Sequence, residues 1–97
     1  MNKYNVSISF EWSEEFAALV PAHRRYINFL IDKGIVDHYA VSLESQRAWI
    51  TLNAVDKEDV TGKMKKSPLY PYFLKMDIDE LVVLDGLNYR MPSFQLN

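Results

Sequence analysis

The chain has 97 residues, a net charge of −2 and no cysteine, so one domain fits and two do not, and neither a disulfide frame nor a thiolate metal site is available. Its hydrophobic fraction of 48% and charged fraction of 25% are ordinary for a globular protein, and the acidic balance without a basic block disfavours binding driven by nucleic-acid phosphates. With no signal peptide and no apolar run of membrane-spanning length, a cytoplasmic protein without a membrane partner is expected.

Lys3 to Trp12 alternates cleanly: Tyr4, Val6, Ile8, Phe10 and Trp12 face one way, Lys3, Asn5, Ser7, Ser9 and Glu11 the other, the pattern of a half-buried strand. Ser13 reads as a helix N-cap, with Glu14 and Glu15 at the positive end of the helix dipole. An apolar stripe at helical spacing then runs through Phe16, Leu19, Val20, Ile27, Leu30 and Ile31 and stops at Gly34. Pro21 interrupts it and predicts a kink in one long helix; a second helix starting at the proline is the other option.

Val36 to Leu43 and Arg47 to Asn53 form a hairpin across the short connection Glu44-Ser45-Gln46. Asp56 caps a short helix from about Lys57 to Lys66, with Asp59 at the acidic position of a capping box. A proline-punctuated loop from Ser67 to Tyr72 leads into a fourth strand, Phe73 to about Leu84. The order βαββαβ predicts an α+β ferredoxin-like sandwich over residues 1–85, four antiparallel strands with both helices on one face. Residues 86–97 form a tail, and Leu87, Tyr89, Met91, Phe94 and Leu96 are apolar enough to pack either on a neighbouring subunit, which is the expectation adopted, or back on their own helices.

Parity places Val6, Ile8, Phe10, Tyr39, Val41, Leu43, Ile50, Leu52, Leu74, Met76 and Ile78 under the helices. The other face collects Val36, Trp49 and His38 among Ser, Asn, Lys and Asp side chains; it is either solvated or covered by a second subunit, and parity does not decide. Two ionisable residues interrupt the apolar patterns. His23 falls on the helix stripe and Asp37 on the apolar side of the second strand. A helix lying over that strand brings them together, and a carboxylate beside an imidazole orients the ring and raises its basicity. The alternative is a satisfied core histidine with Asp37 at a fraying strand start. Metal-ligand spacing, a glycine-rich phosphate loop and a nucleophile elbow are all missing from the sequence, so no cofactor or metal is expected.

Ser67-Pro68-Leu69-Tyr70-Pro71-Tyr72, running into Met76-Asp77-Ile78-Asp79-Glu80-Leu81, resembles the end of the muconolactone isomerase family, where a proline-aromatic turn leads into a last strand with alternating acids. The resemblance takes in Pro21 to Leu81 and implies the dimeric α+β barrel superfamily, in which two ferredoxin-like units pair through their sheets. His23-x-x-Tyr26-x-x-x-Leu30-x-x-x-Gly34 is also similar to the helix of the YCII-related proteins, whose active-site histidine matches His23, with Asp37 matching a nearby aspartate by location. The first helix reads His23-Arg24-Arg25 where muconolactone isomerase carries its charged groups, and no acid matches there, so the fold carries over better than the reaction.

The resemblance implies a homodimer or higher homo-oligomer and a small, acidic organic ligand. In a proton-shifting isomerase or lyase, His23 moves the proton, Asp37 holds the ring, Arg24 neutralises a substrate carboxylate, and Trp12, Tyr39 and Tyr72 supply walls. A non-catalytic ligand-binding module on the same fold is the alternative. RNA recognition shares the strand order, but the third strand offers only Trp49 and no glycine where an RNA-recognition motif needs two aromatics.

Overall fold

The computed structural model describes residues 1–86; residues 87–97 of the tail expected to pack on a neighbouring subunit lie outside the described residues. Strand β1 (Asn2–Phe10) leads into helix α1 (Glu14–Asp32), the hairpin β2 (Val36–Ser42) and β3 (Arg47–Ala54), helix α2 (Lys57–Lys65), a 3-10 turn over Tyr70–Tyr72 and strand β4 (Phe73–Leu81). The sheet order is β2-β3-β1-β4 with every neighbouring pair antiparallel. This is the ferredoxin-like sandwich, in which β3 lies between β1 and β2.

Each helix begins and ends on the chemistry its sequence supplies. Ser13 Oγ accepts from the Phe16 amide at 3.1 Å, so the first turn of α1 starts where a hydroxyl satisfies a free N–H. At the other end Gly34 takes φ +74°, and its N–H and that of Ile35 donate to the carbonyls of Ile31 and Leu30 at 2.9 Å each. That closes α1 in a Schellman turn, where a residue with a Cβ is strained. Asp56 caps α2 by accepting from the Asp59 amide at 2.8 Å, and Asp59 reaches back to the Val55 amide at 3.0 Å. One helix runs through Pro21, which stays exposed, and the stripe keeps its phase: Phe16, His23, Ile27 and Leu30 are buried on one side. Ile31 falls outside the stripe and is exposed, because its position turns it away from the sheet.

The core lies between this stripe, Val60 and Met64 of α2, and the inward residues of the central strands: Tyr4, Val6 and Ile8 of β1, Ile50 and Leu52 of β3. Burying side chains of this size stabilises the fold by about 1.5–3 kcal/mol each. The Tyr26 hydroxyl donates to the Lys63 carbonyl at 2.6 Å and ties the two helices together above that core.

Two bulges correct the simple parity of the edge strands. In β2, Val36 pairs with Leu52 but His38 pairs with Thr51, which leaves Asp37 as the extra residue. Val36, expected on the polar face, is therefore in the core, while Asp37 turns to the open face and Tyr39 returns inward opposite Ile50. In β4, Phe73 pairs with Phe10 and Lys75 with Ser9, so Leu74 is the extra residue and is 68% exposed rather than under the helices. Val41 and Leu43 keep the inward parity but are exposed as well, because α1 does not reach over that end of β2.

Candidate functional site

Where α1 draws away from the sheet, a cavity of about 440 Å³ opens between the first half of the helix and the ends of β1, β2 and β3. Phe10, Phe16 and Phe73 form its aromatic wall, with Phe10 and Phe16 stacked at 4.7 Å between ring centroids. Val41, Leu43 and Trp12 stand at its exposed mouth. Trp12 is held there by its own backbone: its amide donates to Gln46 Oε1 at 2.6 Å, and Gln46 sits at φ +53° in the hairpin turn.

The polar end is built from His23, Tyr39 and Arg24. His23 is 4% exposed, with Nδ1 2.6 Å from Ser67 Oγ and Nε2 2.9 Å from the Tyr39 hydroxyl. Ser67 is itself buried, in the turn that follows α2, and its Oγ accepts the Leu69 amide at 3.1 Å. Burial lowers the His23 pKa from 6.5 to about 4, so the ring is neutral at physiological pH. The same desolvation raises the Tyr39 phenol above its ordinary value, and the positive charge of Arg24 partly opposes it. Both Tyr39 and His23 are therefore neutral hydrogen-bonding groups, and Arg24 is the charged group lining the cavity.

The expected His23–Asp37 pair does not form. Both ring nitrogens of His23 are engaged by Ser67 and Tyr39, while Asp37 accepts from Lys3 Nζ at 2.7 Å on the open side of the sheet. The bulge at Asp37 is the physical reason, since one extra residue moves its side chain from the helix-facing side to the other. His23, Arg24, Tyr39 and Trp12 do converge on one cavity. Tyr72 does not line it; its ring packs T-shaped against Phe16 with the centroids 6.3 Å apart. Ser67 was not among the sequence candidates, and a single serine before a proline carries no signal that it will meet a histidine 44 residues away.

Among the described residues no group of His, Asp or Glu is arranged to hold a metal ion, and no helix is long and apolar enough to cross a membrane. The arrangement suits a small molecule with an apolar body and an oxygen-bearing end, because the walls are apolar and the polar groups cluster at one place. As a base, an imidazole with a pKa near 4 is poorly matched to proton abstraction at neutral pH.

No protein-family model matches the chain, and no curated protein matches it. Among solved structures, the crystal structure of MtbAldR is similar at 11% identity with a TM-score of 0.56. The match takes in 93% of this chain and 59% of that one, so this chain spans less than two thirds of its neighbour's length. At that identity the likeness is one of fold, the same small α+β arrangement of four strands and two helices.

Proposed function

We propose that this protein binds a small acidic organic molecule in the cavity beneath α1. The observation that carries this reading is the lining: an open-mouthed aromatic and aliphatic pocket of about 440 Å³ whose one charged side chain among the described residues is Arg24, next to Tyr39 and His23. An apolar body buries against Phe10, Phe16 and Phe73, and a carboxylate meets the guanidinium. Calorimetric titration with 1-naphthaleneacetate tests it. Binding is expected, and Arg24→Ala is expected to weaken it about threefold to tenfold for a partly exposed charge contact. Equal affinity in the variant, or no binding to the wild type, would refute the reading.

A second reading makes the same cavity the site of a cofactor-independent proton-shifting isomerase, in line with the resemblance to muconolactone isomerase. The contact of 2.9 Å between His23 Nε2 and the Tyr39 hydroxyl supports it by linking the ring to the cavity, while the His23 pKa of about 4 makes the ring a weak base and leaves this the second reading. Turnover of an unsaturated lactone acid that disappears in His23→Asn supports it; turnover that survives the substitution rules it out.

The proposed assembly is a homodimer through the open sheet face, as the resemblance implies. Trp49 stands on that face with Arg47 over its ring at 5.8 Å, and the Thr51 hydroxyl is buried without a hydrogen-bond partner among the described residues. Sedimentation should give a dimer, and Trp49→Glu a monomer; a monomeric wild type defeats this part.

A further inference from the structure

We propose that Ser67 and the Leu69 amide set the direction of a hydrogen-bond chain through His23, so that Tyr39 offers its hydroxyl proton to the cavity and selects ligands that present a carboxylate or carbonyl oxygen. The inference rests on the cavity being a ligand site, as proposed above, and goes further by naming the group that discriminates.

The argument is an accounting of protons. Ser67 Oγ accepts the Leu69 N–H, and the acceptor left for its own proton among the described residues is His23 Nδ1 at 2.6 Å. Because His23 is neutral, accepting at Nδ1 leaves its single N–H on Nε2. That N–H donates to the Tyr39 oxygen at 2.9 Å. The Tyr39 proton is then free of the ring, and Tyr39 is a lining residue of the cavity.

Run the other way, Tyr39 donates to Nε2, Nδ1–H donates to Ser67, and the Ser67 proton has no acceptor among the described residues. Ser67 is 4% exposed, so water does not readily replace the missing partner. A buried donor left unpaired disfavours that direction by about tenfold or more. The backbone of the turn after α2 thus determines which tautomer the helix histidine adopts.

The consequence is chemical. In the favoured direction the described residues at the polar end of the cavity show a ligand one hydroxyl proton, from Tyr39, and one cation, Arg24. Both are complements of an acceptor oxygen. A ligand whose polar group only donates meets protons and positive charge and is rejected. Ser67 acts through His23 and is a positioning residue; Tyr39 is the one that touches the ligand.

Long-range proton–nitrogen correlation of His23 in the free protein at neutral pH reads the direction without any ligand. A proton on Nε2 is expected, and a proton on Nδ1 overturns the proposal. Ser67→Ala should abolish the single tautomer, a change that a merely structural role of the serine would not produce. Tyr39→Phe should weaken 1-naphthaleneacetate and its primary amide alike, by about fivefold to tenfold for one lost hydrogen bond, and leave 1-methylnaphthalene unchanged. Unaltered acid and amide affinities in Tyr39→Phe overturn the selection. A proton on Nδ1 with intact carboxylate binding sinks this inference but not the pocket; an Nε2 proton with no binding of any probe upholds the direction and removes both the pocket and the selection.

Discussion

Acidification should destabilise this protein through His23. The ring is buried against Ser67 and Tyr39, Arg24 is nearby, and among the described residues no carboxylate lines the cavity to stabilise an imidazolium. In the unfolded chain the histidine titrates at its ordinary 6.5, and in the fold at about 4. Between those values the unfolded state binds the proton that the folded state refuses, so stability falls as pH drops from 6.5 towards 4 and is unaffected by this group above 7. Linkage with these two values gives a loss of about 1.8 kcal/mol between pH 7 and pH 5, roughly 10 °C in melting temperature for a domain of this size. Urea denaturation at half-unit steps measures it. The comparison is His23→Gln, which removes the titration and keeps an amide against Ser67 and Tyr39. The wild type should lose stability relative to the variant across this window. Parallel curves from pH 7 to pH 5, or a His23 resonance that titrates near 6.5 in the folded protein, would refute the reasoning.

Asp37→Ala should leave 1-naphthaleneacetate binding unchanged while costing about 1 kcal/mol in urea denaturation, because its partner is Lys3 on the open face and not His23; weakened binding would count against that placement. Gly34→Ala should destabilise by about 1 kcal/mol, since the open space around its Cβ position leaves the positive φ as the cause; an unchanged urea midpoint would show that the Schellman turn tolerates the strain. The β4 bulge makes neighbours unequal: Leu74→Ser should change stability by less than about 0.5 kcal/mol and Phe73→Ala by about 2 kcal/mol, the reverse of what strict alternation through Leu74, Met76 and Ile78 predicts.

The cavity owes its existence to a mismatch between strand and helix. Val41 and Leu43 continue the inward face of the hairpin beyond the reach of α1, and the exposed aromatic Trp12 stands beside them. Apolar residues that a compact sandwich would cover are here the walls of an opening. His23 reaches the cavity because α1 passes through Pro21 without losing phase, which keeps the ring turned toward β2.

The sequence by itself determined the order of elements, the helix caps, and which residues of β1 and β3 face inward, because caps are local and a central strand buried on one side alternates strictly. It also singled out His23, whose burial follows from its place on an amphipathic stripe. The partners of that histidine belong to the tertiary structure. Strict alternation of β2 makes Asp37 the partner, and a single bulged residue, set by pairing with β3, sends it to Lys3 instead. Tyr39 and Ser67 come from separate segments, and only the packing of α1 between the sheet and the turn after α2 brings both to one imidazole. Bulges and such long-range polar contacts depend on neighbouring strands and helices, which no local pattern in the chain records.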